Sequence, residues 1–370
     1  MDVTAAPSTL QVVWFCLVAV LFLGYFVLEG FDFGVGMLLP VLARDEKERR
    51  VMINTIGPVW DGNEVWVLVA GGAMFAAFPE WYATLFSGFY LPLLLILVGL
   101  IVRAVAFEYR SKRDDPLWRR RWDWCIIAGS VLPALLWGVA FGNIVRGVPL
   151  DADHNYTGTL LTLLNPFALL AGLVTVGLFV THGAVFIALK TLGDIRGRAR
   201  SLAGRVGLVT LVLLAGLAAW HNLAFANTAL VWAPTAVAAI GLVAGLLANR
   251  AGREGWAFVG SALAIAGLVV TLFLGLFPDV MPASNDPAHS LTVVNASSTP
   301  TTLTIMTWAA AIATPIVLAY QGWTYWIFRK RIGVQHMPDP TPESAESTPG
   351  TEHSPSTDHN AERSPSSSRG

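Results

Sequence analysis

Charge is what this chain has least of. Asp, Glu, Lys and Arg make up only 13% of its 370 residues, whereas 54% are hydrophobic and the mean hydropathy is +0.58. So few charges cannot clothe a soluble domain of this size, so composition excludes one and points to a polytopic membrane protein. There are two cysteines, Cys16 and Cys125, both within hydrophobic runs. No CxxC, no CxxCH and no disulfide framework can be built from them. Walker A, dinucleotide-binding and nucleophile-elbow patterns are missing, which removes the soluble catalytic classes they mark. No basic patch interleaved with aromatics is present, so no nucleic acid partner is expected. His182 and His221 are the only histidines in or near the hydrophobic runs, and they fall at different depths. They make a poor bis-histidine haem pair, and no metal site is expected. The N-terminus lacks a basic n-region and a cleavage site, so the first hydrophobic run is expected to be a retained helix.

What the chain has in quantity is long apolar runs. Nine are expected to be transmembrane helices, at about 10–40, 55–78, 83–108, 122–145, 165–190, 204–226, 229–248, 256–277 and 303–328. Each can cross roughly 30 Å of hydrocarbon at about 1.5 Å per residue. The fold class is therefore all-α, with residues 1–334 as the transmembrane domain. From residue 335 to 370 the chain is rich in Pro, Ser, Thr and Glu, which predicts a disordered tail. Its scattered histidines, His336, His353 and His359, do not make a metal site.

Basic residues set the expected orientation. With the N-terminus outside, the inner loops and the C-terminal segment hold all of the 24 Lys and Arg except Arg103 and Arg146. The outer loops carry Asp151, Asp153, Asp279 and Asp286 instead. This is the positive-inside bias, with a cytoplasmic C-terminus. Arginine outnumbers lysine, and Ala and Val are abundant, as in a GC-rich bacterial genome.

Against this background, acids inside the spans stand out. Glu29 and Asp32 lie in the first run, Asp61 and Glu64 in the second. Each intramembrane acid costs roughly 2.5–3.5 kcal/mol on insertion scales. Each pair is spaced i,i+3, which places its members near one helix face. Arg103 in the third run is the expected counter-ion. Glu108 and His182 fall in the same, cytoplasmic, half, as does Lys190. Glu108 and Lys190 are close enough to helix ends to snorkel to the interface. His182 reads equally as a hydrogen-bonded core residue. More acids than cations at one depth is what a proton route requires. Trp60 and Trp66 flank the second acidic turn, as packing residues or as faces for a quinone ring. Gly30 and Gly34, the Gly57–Gly62 stretch and Gly71-Gly72 are expected to allow close helix packing. Pro58 and Gly62 should disturb the helix start near Asp61, and irregular backbone at that depth belongs beside protein or water.

Several of these stretches resemble subunit II of cytochrome bd-type quinol oxidases. They include Glu29-Gly-Phe-Asp-Phe-Gly-Val-Gly-Met-Leu38, Arg49-Arg-Val-Met-Ile-Asn54, Trp60-Asp-Gly-Asn-Glu-Val-Trp66 and Gly71-Gly-Ala-Met-Phe-Ala-Ala-Phe-Pro79. Phe86-Ser-Gly-Phe-Tyr90, Trp122-Asp-Trp124, Gly138-Val-Ala-Phe-Gly-Asn143, Leu164-Asn-Pro-Phe167 and Met306-Thr-Trp308 continue the pattern in order, from about residue 10 to 330. The resemblance implies two four-helix bundles plus one peripheral helix, in a multi-pass protein of the bacterial cell membrane. It implies a heterodimer with a homologous subunit I that holds two haems b, haem d and the quinol-oxidising loop, and sometimes small single-helix accessory subunits. This chain would carry no haem ligand and no catalytic residue of its own. The complex would oxidise menaquinol or ubiquinol, reduce oxygen to water and build a proton-motive force without pumping. The resemblance ties the aspartate of the Trp-Asp-Gly motif, here Asp61, to the proton route, and links the subunit to oxygen access and a structural quinone. Glu29 and Asp32 match the acidic positions of the first-helix motif. Two other classes are weighed: a secondary transporter using the acids for coupling, and a purely structural subunit. The lack of a clear inverted repeat counts against the transporter; the only internal likeness, Leu28–Phe33 with Thr181–Phe186, is short.

Overall fold

A computed structural model describes residues 6–226 and 228–337. Among the described residues the architecture is α-helical, with one short two-stranded hairpin. The helices are α1 (Thr9–Leu42), α2 (Glu46–Ile56), α3 (Trp60–Ala77), α4 (Pro79–Gly88), α5 (Tyr90–Tyr109) and α6 (Pro116–Arg146). Then follow α7 (Pro166–Lys190), α8 (Asp194–Ala224), α9 (Trp232–Arg250), α10 (Glu254–Leu276) and α11 (Pro300–Ile327). Strands β1 (Asp279–Met281) and β2 (Leu291–Thr292) pair antiparallel between α10 and α11.

Among the described residues, eight helices are long and apolar enough to cross a membrane. The run expected at 55–78 is divided. Gly57 and Pro58 end α2 and start α3 at Trp60, leaving an 18-residue helix whose first turns carry Asp61, Asn63 and Glu64. Those polar residues lower the hydropathy of α3 and set it apart from the eight. The run expected at 83–108 is also divided, because the helix that Pro79 begins stops at Gly88 and α5 starts at Tyr90. α8 reaches further than expected: its first turns, from Asp194, carry Arg196, Arg198 and Arg200 outward from the apolar segment. Of the tail expected at 335–370, Val334–His336 forms a 3₁₀ turn, and everything from residue 338 lies outside the described residues.

α1 is the hub. Ser8 and Gln11 close a capping box at its start. Every residue from Glu29 to Leu39 is buried, which requires protein on all sides of the helix. It packs against α3, α6, α7 and α10. The closest approach is to α7. A Cβ on Gly34 would overlap the Phe179 carbonyl and lie 2.7 Å from the Gly183 Cα, and a Cβ on Gly183 would lie 2.5 Å from Gly34. Phe31 stacks on Phe186 with ring centroids 4.0 Å apart, and Phe33 on Phe179 at 5.8 Å. The expectation of close packing therefore holds for Gly30 and Gly34. It does not hold within this chain for Gly62, Gly71 and Gly72, where a Cβ would meet nothing within 4 Å.

α11 lies on the periphery, with Leu303 its only buried residue. Polar contacts hold it at both ends. Near its start, Trp14 Nε1 donates to the Leu303 carbonyl (3.2 Å) and to Thr307 Oγ1 (3.1 Å). Past its end, Lys190 donates to the Phe328 carbonyl, and the Ile332 N–H donates to the Lys190 carbonyl at 2.9 Å. At the arginine-rich end Glu254 gathers Arg196 (2.7 Å), Arg331 (3.3 Å) and Arg200 (3.7 Å), tying α8, α10 and the segment after α11 together.

Because the α1–α7 contact is backbone against backbone, Gly34→Val cannot be relieved by a side-chain rotation. It is expected to destabilise by about 3 kcal/mol or more, the upper range for overpacking. The check is a lowered midpoint of thermal unfolding for the purified protein.

Candidate functional site

The acids and the arginine come together where α1, α3 and α5 meet. Arg103 on α5 is fully buried, and its Nη2 donates to Glu29 Oε1 on α1 and, at 3.3 Å, to Glu64 Oε2 on α3. Glu29 is fully buried, whereas the Glu64 side chain is 18% exposed. The guanidinium also lies over the Phe33 ring at 4.5 Å and near Phe107 at 5.8 Å. Aromatic faces favour a guanidinium over an ammonium here, since it is planar and weakly hydrated. Gly129 on α6 makes room beside it: a Cβ there would lie 2.7 Å from the Arg103 Cβ.

Asp32, one turn along α1 from Glu29, is also fully buried. Its carboxylate accepts from Asn63 Nδ2 at 2.7 Å. Asn63 Oδ1 in turn accepts from Tyr325 OH (2.7 Å) and from Gln321 Nε2 (3.3 Å), both on α11. Gln321 Oε1 accepts from Trp66 Nε1 at 2.9 Å. A continuous polar chain thus runs from the peripheral helix to the buried acids, with Asn63 at its centre. Among the described residues, Glu29 Oε2, Asp32 Oδ1, Arg103 Nε and Arg103 Nη1 are buried and meet no protein partner.

The cluster therefore joins Glu29, Asp32, Glu64 and Arg103. Three of the residues read from the sequence stand apart. Asp61 is exposed, and its Oδ1 accepts only from the Gly62 N–H, at 2.7 Å. Glu108 is exposed on the last turn of α5. His182 is fully buried on α7 but faces α10: its Nδ1 is 2.7 Å from Ser261 Oγ, its Nε2 is 3.2 Å from the Val27 carbonyl, and its ring stacks on Phe258 at 4.5 Å. Both ring nitrogens are engaged, so neither is free to ligate iron. Trp60 packs against Phe107, centroids 5.1 Å apart. Trp66 lies so close to Gly24 that a Cβ there would overlap its ring.

Sequence reading missed Asn63, Gln321 and Tyr325. The signal existed, since each is a polar group inside an apolar helix, but attention to charge passed over neutral donors. A second network also escaped it. Arg110, at the end of α5, pairs with Glu46 through two bonds of 2.8 Å and with Asp123 at 2.5 Å.

Comparison with known proteins places most of the chain in one group. Residues 10–328 match the family model described as cytochrome bd terminal oxidase subunit II. The chain is 42% identical to cytochrome bd-I ubiquinol oxidase subunit 2 of Escherichia coli K12, over 88% of this chain and 96% of that one. It is 44% identical to cytochrome bd ubiquinol oxidase subunit 2 of Bacillus subtilis 168, over 88% and 97%. In fold it resembles a chain of the bd oxidase from Geobacillus thermodenitrificans, with a TM-score of 0.73, 16% identity, and coverage of 87% of this chain and 99% of that one.

Arg103 is the only cation in the cluster, so removing it strands buried carboxylates. Arg103→Met is expected to destabilise by about 3–5 kcal/mol. Glu64→Gln, at the partly exposed edge, is expected to cost about 1 kcal/mol or less. Thermal unfolding of the two purified variants against wild type checks the order; equal costs would break the account.

Proposed function

The chain belongs to the cytochrome bd terminal oxidase subunit II family, and on that premise we propose that its buried acid cluster conducts protons from the cytoplasm toward oxygen chemistry in a partner chain. It is an integral, multi-pass subunit of a bacterial terminal quinol oxidase. Membership removes the transporter reading, and the complex contains a partner subunit and haem.

The observation that carries the proton role is the pattern of unpaired buried atoms. Two carboxylate oxygens and two guanidinium nitrogens lie at one spot without protein partners. Buried polar atoms of that kind are satisfied by water in folded proteins. Carboxylates joined by water can pass a proton; carboxylates sealed by protein donors cannot. In this reading Glu64, at the partly exposed edge, takes up the proton. Glu29 and Asp32 hold it in turn, and Arg103 bridges Glu29 to Glu64 and offsets the charge of the cluster. Glu108 lies on the approach along α5. His182 is a candidate relay on the α7 side of α1, where its Nε2 faces the Val27 carbonyl.

Asp61 fits this reading as an interface residue. It begins an outward stripe on α3, continued by Gly62, Val65, Leu68, Gly72 and Phe75, all exposed in this chain. A carboxylate on such an apolar stripe requires cover, and its glycines would let another helix approach closely. We assign the stripe to the haem-bearing subunit I, which would hold two haems b and haem d. Those groups, when bound, supply electron transfer and oxygen reduction. Asp61 would then hand protons across the boundary, and oxygen would enter along the same apolar contact. Trp60 and Trp66, both half-buried beside the cluster, would pack against a structural menaquinone or ubiquinone.

The topology proposed with it is nine spans, α3 serving as the second. The first four-helix bundle is α1, α3, α5 and α6, the second is α7 to α10, and α11 is peripheral. The N-terminus is outside and the C-terminal segment cytoplasmic, as the arginine distribution requires. Small accessory subunits would bind at the lipid-facing margin.

Asp61→Asn is expected to slow oxygen-reduction turnover by tenfold or more (roughly the contribution of a positioned proton-transfer group) with haem absorbance of the purified complex unchanged. Normal turnover in a variant with full haem content would remove Asp61 from the route. Loss of haem would instead assign it to assembly. Purification of wild type free of haem and of a second membrane chain would overturn the oxidase assembly itself.

A further inference from the structure

A cavity of about 520 Å³ opens where α1 ends, α2 begins and α5 turns into α6. It lies at the arginine-rich end of the helices and away from the acid cluster. Its polar side carries Arg49, Arg119 and Arg120, and its apolar side Pro40, Trp124 and Ile127. Two carboxylates also line it, Glu46 and Asp123, but both are committed to Arg110 at 2.8 and 2.5 Å. What they leave to the other arginines is long: Arg49 is 3.8 Å from Asp123, and Arg119 is 3.8 Å from Glu46. Arg119 has its remaining partner in the exposed Asp114. The Arg120 side chain makes no hydrogen bond or ion pair with any described residue. The cavity is therefore cationic on balance, and its guanidiniums are only partly used.

From this geometry we infer that the cavity is a binding site for one anionic glycerophospholipid, such as phosphatidylglycerol. Guanidiniums in a partly desolvated cavity suit a phosphate, which they can bind through two parallel bonds. A soluble anion would have no use for the other wall. Trp124, which lines the cavity, is 60% exposed, and Leu117 and Val41, next in sequence to the lining residues Pro116 and Pro40, are 55% and 62% exposed. The apolar wall therefore lies beside exposed apolar side chains, where acyl chains would lie. A tryptophan beside arginines at the end of a span is the side-chain arrangement of a headgroup boundary. The inference rests on the membrane placement of the chain and is independent of the proton route.

The test uses the assembled, haem-loaded complex in detergent, titrated with phosphatidylglycerol or with phosphatidylcholine of the same acyl chains. Native mass spectrometry counts the lipid retained. Wild type is expected to hold phosphatidylglycerol under conditions that strip phosphatidylcholine. The double variant Arg49→Gln, Arg120→Gln is expected to bind it roughly tenfold more weakly or worse, with haem absorbance unchanged. Arg49→Lys, Arg120→Lys should recover part of the loss, since a point charge replaces each fork. Equal retention of phosphatidylglycerol by wild type and the Gln variant overturns the inference. So does displacement of the lipid by millimolar inorganic phosphate as complete as by excess phosphatidylglycerol, which would make this a free-phosphate site.

Discussion

Everything near the centre of this molecule answers to one requirement: a buried arginine must be neutralised without water on most sides. Arg103 meets Glu29 on α1 and Glu64 on α3, and its flat face lies on Phe33. Moving such charges out of water costs several kcal/mol per ion even after relaxation. The pair is tolerable only because geometry is held from outside. Gly129 lets α6 approach the arginine, and Gly34 and Gly183 bring α7 against α1 from the other side. Asn63 fixes Asp32 and is itself fixed by Tyr325 and Gln321. A stability argument alone would favour apolar residues at these positions, so the cluster is better explained by what it does than by what it holds together.

The same arrangement makes the chain look like part of a larger object. α3 presents one face to the cluster and leaves the other, with Asp61 and two glycines, exposed. α11 touches the rest along a polar seam yet buries only Leu303. A membrane protein can leave apolar helix faces to lipid, but it does not leave a carboxylate on one without cost. Family membership implies a partner subunit, and the exposed acid is the reason we propose that this partner docks on α3.

At the opposite extreme of polarity, the arginine-rich end is organised and not merely charged. Glu254 binds three arginines, Glu48 binds Arg198 at 2.7 Å, and Arg110 joins Glu46 to Asp123. Most of these ties stitch helix ends that no loop connects, including the segment after α11. They also sort the cations. Those deep in the networks are consumed by carboxylates, while Arg120 is left facing the apolar cavity beside Trp124.

The sequence by itself determined that the chain is built of long apolar helices and where most of them run. Hydropathy marks the helices because backbone groups in lipid have to be paired within the segment, so spans must be long apolar helices. It also supplied the family motifs, the acids, and Arg103 as the sole cation available to them. It failed where direction around a helix decides. Asp61 and Glu64, spaced i,i+3, are about 60° apart around α3, which is enough for one to face Arg103 and the other to face outward. Glu29 and Asp32 have the same spacing but are both buried, because α1 has protein on every side. His182 shares their depth and looks toward Ser261 instead. Asn63, Gln321 and Tyr325 became part of the site only when α11, distant in sequence, was laid beside α3. Depth is a property of composition along the chain, which can be read in one dimension. Azimuth and partnership depend on which helices meet, and only the tertiary structure decided that.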